Sequence, residues 1–278
     1  MSGNSTAVQP RVFLNDSFVP AAEAQVSAFD AGFIFGAGVF ETIRGKNGEP
    51  AYFDRHYARL QHSCAQLGIV LKPTEAELFD TICELLAIND LGGMEARIKL
   101  VATPGDTNMH RSHRAGTLLI SAIPYIRPSP RIPWKLLLRD DVFASPISGH
   151  KSTSYLGYRM ALREAHDSGY DDVILLDRHG NIAETAVASL FLFREGRMIL
   201  PVSDDALPGT ARSVIADIAR ARGIDVREMT VSKHDVLNRT SVCICNALIG
   251  PFPIGRINEQ ELPPFDGAML RALRDAWM

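Results

Sequence analysis

Four prolines in eleven residues, the stretch IPYIRPSPRIP from Ile123 to Pro133, interrupt this chain near its middle. Proline fixes φ and donates no backbone N–H, so neither a helix nor a central strand runs through such a segment. The chain is therefore expected to fold as two domains: a smaller one over residues 1–123, a linker over 124–133 and a larger one over 134–278 that carries Lys151. With 278 residues, 46% of them hydrophobic, it can fill sizeable cores without a metal or disulfide staple. Its four cysteines, Cys64, Cys83, Cys243 and Cys245, include no C-x-x-C pair, and no metal site is expected. Cys243 and Cys245 alternate in an apolar run and belong on one face of a strand.

Charge narrows the function classes. A net charge of −3 with 22% charged residues places the chain among soluble globular proteins and argues against a nucleic-acid binder that relies on bulk positive charge. The N-terminal MSGNSTAVQP has no basic stretch leading into an apolar one, and no apolar run reaches membrane-spanning length. A cytoplasmic location with no membrane partner is expected. Only six lysines (46, 72, 99, 135, 151 and 233) stand against twenty-three arginines, so each can be weighed individually.

Periodicity supplies the elements. RVFLND and FVP read as short strands, and FETIRGKNGEPAYF as a hairpin turning at Asn47-Gly48. Asp54 is placed to cap a helix bearing Leu60, Cys64 and Leu67. Thr74 and Glu77 form a capping box before a second helix that Gly92-Gly93 should end. ARIKLVAT and TLLISAIPY follow as strands, separated by the polar loop PGDTNMHRSHRAG. Past the prolines, KLLLRDDV, DVILLDRHGNIAETAVASLFLFREGRMILP, VREMTVSK and SVCICNALIGPFPIGRI read as strands. Helices are expected over 155–168 and 210–222, stopped by Gly169 and Gly223. The class is α+β or mixed α/β, with no internal repeat.

Lys151, in SGHKSTSYL, lies between a strand and a helix among small polar residues, an environment that suits a Schiff-base amine as well as a solvated surface lysine. A pyridoxal phosphate site also needs a carboxylate for the ring nitrogen and a phosphate cup. Glu184 sits in an apolar strand segment, either buried or at a wet edge. LPGTARSVI offers a glycine-led helix start at Gly209-Thr210-Ala211, where an anion is favoured. Arg59 shares a helix face with His56, and is open both to a phosphate and to an ordinary ion pair.

In order and spacing, these segments resemble the fold-type IV pyridoxal-phosphate enzymes, the class IV aminotransferases. The resemblance runs from about Val12 to Ile257 through FDAGFIFGAGVFETIR, H-x-x-R-L at His56–Leu60, Lys151, Glu184, LPG-x-x-R at Leu207–Arg212 and CNALIGPFPI. It implies a small N-terminal α/β domain, a larger C-terminal pseudo-barrel domain, pyridoxal 5'-phosphate as cofactor, a small amino substrate and a homodimer with the active site near its interface. It further implies that Lys151 forms the internal aldimine and shuttles protons, and that Glu184 holds the ring nitrogen. Arg59 with the backbone of Thr210 and Ala211 would then bind phosphate. The family usually has Ile-Thr where Thr210-Ala211 stand, Asn where Ser189 stands, and Arg where Pro104 stands.

The family divides after proton loss beside the substrate nitrogen. ICNALIGPFPI is similar to the corresponding stretch of the aminodeoxychorismate lyases, which implies that Asn246 contacts substrate and that Thr42 delivers a proton to the departing enolpyruvyl group. Arg111-Ser112-His113 resembles the carboxylate trap of D-amino-acid transaminases, and Arg111 and His113 would serve a carboxylate of either substrate. Arg44, Arg97 and Lys99 are further pocket candidates. The expectation is thus a lyase giving 4-aminobenzoate and pyruvate. The enzymatic alternative is an amino-acid transaminase, D-amino acids first and branched-chain second. The remaining alternative is an inactive binding or dimerisation homologue.

Overall fold

A computed structural model of the chain describes residues 9–106, 116–238 and 240–277. It divides into two compact units, the first built from Met1–Ile126 and Lys151–Ser154, the second from Arg127–His150 and Tyr155–Met278. The break at 126/127 falls inside the proline-rich stretch. The four residues from Lys151 group with the first unit, not with the chain that surrounds them.

Unit 1 contains β1 (Arg11–Leu14), β2 (Ser17–Pro20), α1 (Ala31–Phe35), β3 (Val39–Lys46), β4 (Glu49–Pro50), α2 (Phe53–Gln66), α3 (Glu75–Ile88), β5 (Ala96–Ala102) and β6 (Leu118–Pro124). Its strands form one antiparallel sheet in the order β2-β1-β6-β5-β3-β4. Strand alternation sorts its side chains. Val39 and Ile43, with Ile98, Leu100 and Ile120, pack against Leu60 and Cys64 of α2 and Leu78, Ile82 and Leu85 of α3. Asn47 and Gly48 both have positive φ, as a two-residue hairpin of this hand requires.

Two helix boundaries differ from the sequence reading. α2 starts at Phe53 after Tyr52 in the left-handed region, with no side-chain cap, so Asp54 lies in the first turn and complements the helix dipole instead of capping it. Burial of Phe53 pulls the start forward. α3 retains the expected capping box at Thr74 and Glu77, but ends before the Gly92-Gly93 pair. Asp90 takes the left-handed turn there, and Leu91 N donates back to Leu86 O, which returns the Leu91 side chain to the core.

Unit 2 contains β7 (Trp134–Val142), α4 (Leu156–Asp167), β8 (Asp172–Leu176), β9 (Ile182–Thr185), β10 (Ser189–Arg194), β11 (Arg197–Pro201), α5 (Thr210–Ala221), β12 (Asp225–Met229), α6 (Lys233–Leu237), β13 (Ser241–Asn246), β14 (Gly250–Ile257), β15 (Gln260–Glu261) and α7 (Gly267–Trp277). Its sheet runs β12-β11-β10-β13-β14-β7-β8-β9, with β15 added to β14. The β11/β12, β14/β7 and β7/β8 pairs are parallel. One face of β8 packs into the core with Leu136, Leu190, Ile244 and Phe252, the other under Ala161 and Ala165 of α4. Burial on both faces explains why DVILL reads as a continuous apolar run. α1, α6 and α7 were not legible as helices. The cap of α1 is Asp30, whose Oδ1 accepts from Gly32 N, and Asp266 accepts from Ala268 N and Met269 N at the start of α7. Among the described residues no helix is long and apolar enough to cross a membrane.

Candidate active site

In unit 1, residues Lys151–Ser154 run alongside the start of β3. Phe40 N donates to Lys151 O and Thr153 N to Gly38 O, both at 2.8 Å. Gly36 makes this approach possible: its φ is +65°, its carbonyl accepts from Thr153 Oγ1 and Ser154 Oγ, and a Cβ there would lie 2.7 Å from Ser154 Oγ. The Lys151 ammonium consequently rests 4.7 Å from the centroid of the Phe40 ring, and Lys99 lies 3.7 Å from the same ring. Cations over a ring face are attracted by its quadrupole.

Phe40, Thr42 and Arg44 alternate along β3 and share the sheet face turned away from α2 and α3. Register places Thr42 opposite Lys99 and Arg44 opposite Arg97, so these four residues lie on that face. Burial and then the neighbouring charge of Arg97 lower the proton affinity of Lys99. Arg44 is nearly fully buried, with Nη1 3.9 Å from Glu95 Oε1. Arg59 projects from α2 on the helix-covered side. Its Nε and Nη2 donate to Glu41 Oε1 and Oε2 at 2.8 and 2.7 Å, and His56 Nδ1 lies 2.7 Å from Oε2. Burial alone would raise the Glu41 pKa, but the Arg59 charge and the hydrogen bonds from His56 and Arg59 pull it down to about 2. A carboxylate so ionised only accepts, which assigns the proton to His56 Nδ1.

In unit 2, Glu184 is 7% exposed on β9. Tyr158 O–H donates to its Oε1 at 3.0 Å and Leu207 N to Oε2 at 3.3 Å. Tyr155 stacks on Tyr158 with ring centroids 4.7 Å apart and donates to Ala186 O. Burial, then the Glu184 charge, raises the pKa of both phenols, which keeps them donors. At the N-terminus of α5, Thr210 and Ala211 are buried and the N-cap Gly209 contributes no side-chain cap. A Cβ on Gly209 would lie 2.4 Å from Ser189 Oγ, so only glycine brings the helix start this close to β10. Asn246 ties a turn: Oδ1 accepts from Leu248 N and Ile249 N, both at 3.0 Å, and Nδ2 donates to Val187 O.

Lys151, Thr42, Arg44 and Arg97 thus come together on one face of unit 1, with Arg59 on the other side of the same sheet. Glu184, Thr210, Ala211 and Asn246 belong to unit 2. Arg111 and His113 lie outside the described residues. Sequence reading passed over Glu41, Tyr158 and Asp172. For Glu41 a signal existed, since alternation puts this acid between Val39 and Ile43 on an otherwise apolar face. At Asp172, Oδ1 accepts from Val173 N at 2.8 Å, while Oδ2 is buried without a hydrogen-bond partner. Burial pushes its pKa up to about 6, opposed more weakly by Thr185 and nearby backbone N–H groups.

Residues 38–257 match the family model for amino-transferase class IV, and the chain belongs to that family of enzymes. A Methanocaldococcus jannaschii protein, provisionally named a branched-chain-amino-acid aminotransferase, is 30% identical over 89% of this chain and 88% of its own length. The aminodeoxychorismate lyase of Bacillus subtilis is 26% identical over 95% of this chain and 92% of its own. Among solved structures, a branched-chain aminotransferase from Thermoproteus uzoniensis with norvaline superposes with a TM-score of 0.88 at 23% identity, covering 96% of this chain and 93% of that one. The family and the mixed α/β fold-type IV class read from the motifs are therefore confirmed.

Proposed function

We propose that this chain is a pyridoxal-phosphate-dependent lyase that converts 4-amino-4-deoxychorismate to 4-aminobenzoate and pyruvate. The observation that carries this reading is the sheet face of unit 1, on which the Lys151 side chain lies over the Phe40 ring and strand register sets Thr42, Lys99, Arg97 and Arg44. That face combines a base, a hydroxyl proton donor and cations able to pair with the two carboxylates of the substrate. Leucine-like side chains would meet charge there.

The residues fit the cofactor. Glu184 is a buried carboxylate suited to a protonated ring nitrogen, and the close, uncapped glycine start of α5 suits a phosphate. When bound, pyridoxal phosphate delocalises negative charge that develops on the carbon beside the substrate nitrogen. Lys151, as the neutral amine, would remove the proton from that carbon, Thr42 O–H would protonate the departing enolpyruvyl group and regain its proton from Lys151, and Tyr158 keeps Glu184 oriented through its hydrogen bond. By the family resemblance, Arg59 and the N–H groups of Thr210 and Ala211 would be the phosphate ligands. Asn246 holds the Val187 backbone, and by the family resemblance its turn would meet substrate.

A second reading, branched-chain or D-amino-acid transamination, is favoured by the name of the 30% identical relative. The test offers the purified protein aminodeoxychorismate and, separately, D-alanine or L-leucine with 2-oxoglutarate, following aminobenzoate, pyruvate and glutamate. Aminobenzoate with pyruvate is expected. Glutamate at substantial turnover without aminobenzoate would overturn the lyase. Lys151→Ala should abolish either reaction, and Thr42→Val should slow the lyase reaction selectively. The assembly we infer is a cytoplasmic homodimer with the active site near its interface, which would cover the exposed Phe29, Phe33 and Phe35 of unit 1. Sedimentation as a monomer would refute it.

A further inference from the structure

The Arg59 guanidinium is held along one edge. Its Nε and Nη2 both bond to one carboxylate, that of Glu41, side-on, and this carboxylate is itself fixed by His56 Nδ1–H at 2.7 Å. The Glu41 side chain is 2% exposed and that of Arg59 is 9% exposed. Two N–H···O bonds from one edge set the plane of a guanidinium as well as its position. The plane of the Arg59 guanidinium is therefore fixed. A carboxylate on the core-facing side of β3, between Val39 and Ile43, is costly to bury unless its partners hold it. Packing alone would be served better by an apolar residue there.

We propose that Glu41 is a positioning residue whose clamp, backed by His56, presets Arg59 for the phosphate of the cofactor. This rests on the reading of Arg59 as a phosphate ligand. Preorganising a long, flexible side chain removes the ordering it would otherwise undergo on binding, so the clamp acts on phosphate affinity and not on the bond to Lys151. No proton or electron is transferred by Glu41 itself.

The experiment titrates cofactor-free protein with pyridoxal phosphate and, in parallel, with pyridoxal, which lacks the phosphate, and follows the visible absorbance of the lysine-bound aldehyde. Wild type sets the affinity ratio between the two. Arg59→Ala is expected to lower that ratio, and failure to do so would overturn the phosphate reading and this proposal with it. Glu41→Gln, of the same size but with only one carbonyl acceptor, is expected to weaken pyridoxal phosphate by about tenfold or more while leaving pyridoxal within about twofold. If Arg59→Ala lowers the ratio and Glu41→Gln weakens both ligands equally or neither, the pair is merely structural and Glu41 has no positioning role. Glu41→Asp keeps the charge but withdraws it by one methylene. It is expected to lower the ratio as well, and it carries the test should Glu41→Gln not fold. An unchanged ratio in a folded Asp variant would likewise overturn the proposal.

Discussion

Asp172 gives the most direct energetic test of how the protein tolerates a buried carboxyl group. Its residue is at 0% relative exposure, accepts one hydrogen bond from Val173 N, and has its second carboxyl oxygen buried without a partner. Burial moves its pKa from 3.8 up to about 6. A shift of about two units at about 1.4 kcal/mol each amounts to about 3 kcal/mol. The folded chain keeps the proton between these two values while the unfolded chain has released it. The contribution of this group to stability is therefore intact below about pH 4, falls as pH rises through about 6, and stays low above. An asparagine side chain in its place would not titrate. In denaturant unfolding of wild type and Asp172→Asn at a series of pH values, groups common to both proteins cancel. The difference should move in favour of the variant by about 3 kcal/mol between about pH 4 and pH 7. Parallel stability curves, or a drift in the opposite direction, would refute the account of a buried, incompletely paired carboxylate.

Two shorter predictions follow from packing. Gly209→Ala places a methyl 2.4 Å from Ser189 Oγ and should cost about 1–3 kcal/mol of stability, most of it recovered in Ser189→Ala/Gly209→Ala. Additive single effects in thermal or denaturant unfolding would show that the clash does not set the position of α5. Among the free thiols, Cys243 and Cys245 are fully buried, and burial raises Cys245 to about 12 and Cys243 well above its ordinary value. A thiol reagent should therefore modify the partly exposed Cys83 in the folded protein and reach Cys243 and Cys245 only on unfolding. Peptide mapping that finds Cys243 labelled as fast as Cys83 would contradict the buried β13.

Local signals carried much of the architecture. The Thr74 and Glu77 spacing became an observed capping box, and Asn47-Gly48 an observed hairpin turn. Where the reading slipped, a long-range demand had overridden a local one. Asp90 ends α3 ahead of two available glycines because Leu91 has to return to the core, and Phe53 draws α2 forward past the capping position of Asp54. Among the candidate site residues, Lys151 stood out in the sequence by its surroundings. Glu41 was marked only as an acid on an otherwise apolar strand face; its partner was not legible, because a glutamate in a strand says nothing of the arginine eighteen positions later that clamps it.

By itself, the sequence determined what depends on near neighbours: strand and helix periods and turn chemistry, together with a short list of six lysines. Tertiary structure decided which distant groups meet. It laid Lys151–Ser154 against Gly36–Phe40, more than a hundred positions upstream, and set two ammonium groups over one ring. It also tied Asn246 to Val187 and left Asp172 with an unmatched oxygen. The physical reason is that period and propensity act over a few residues, whereas proton affinity and orientation depend on whichever charges and donors the folded chain brings within a few ångströms.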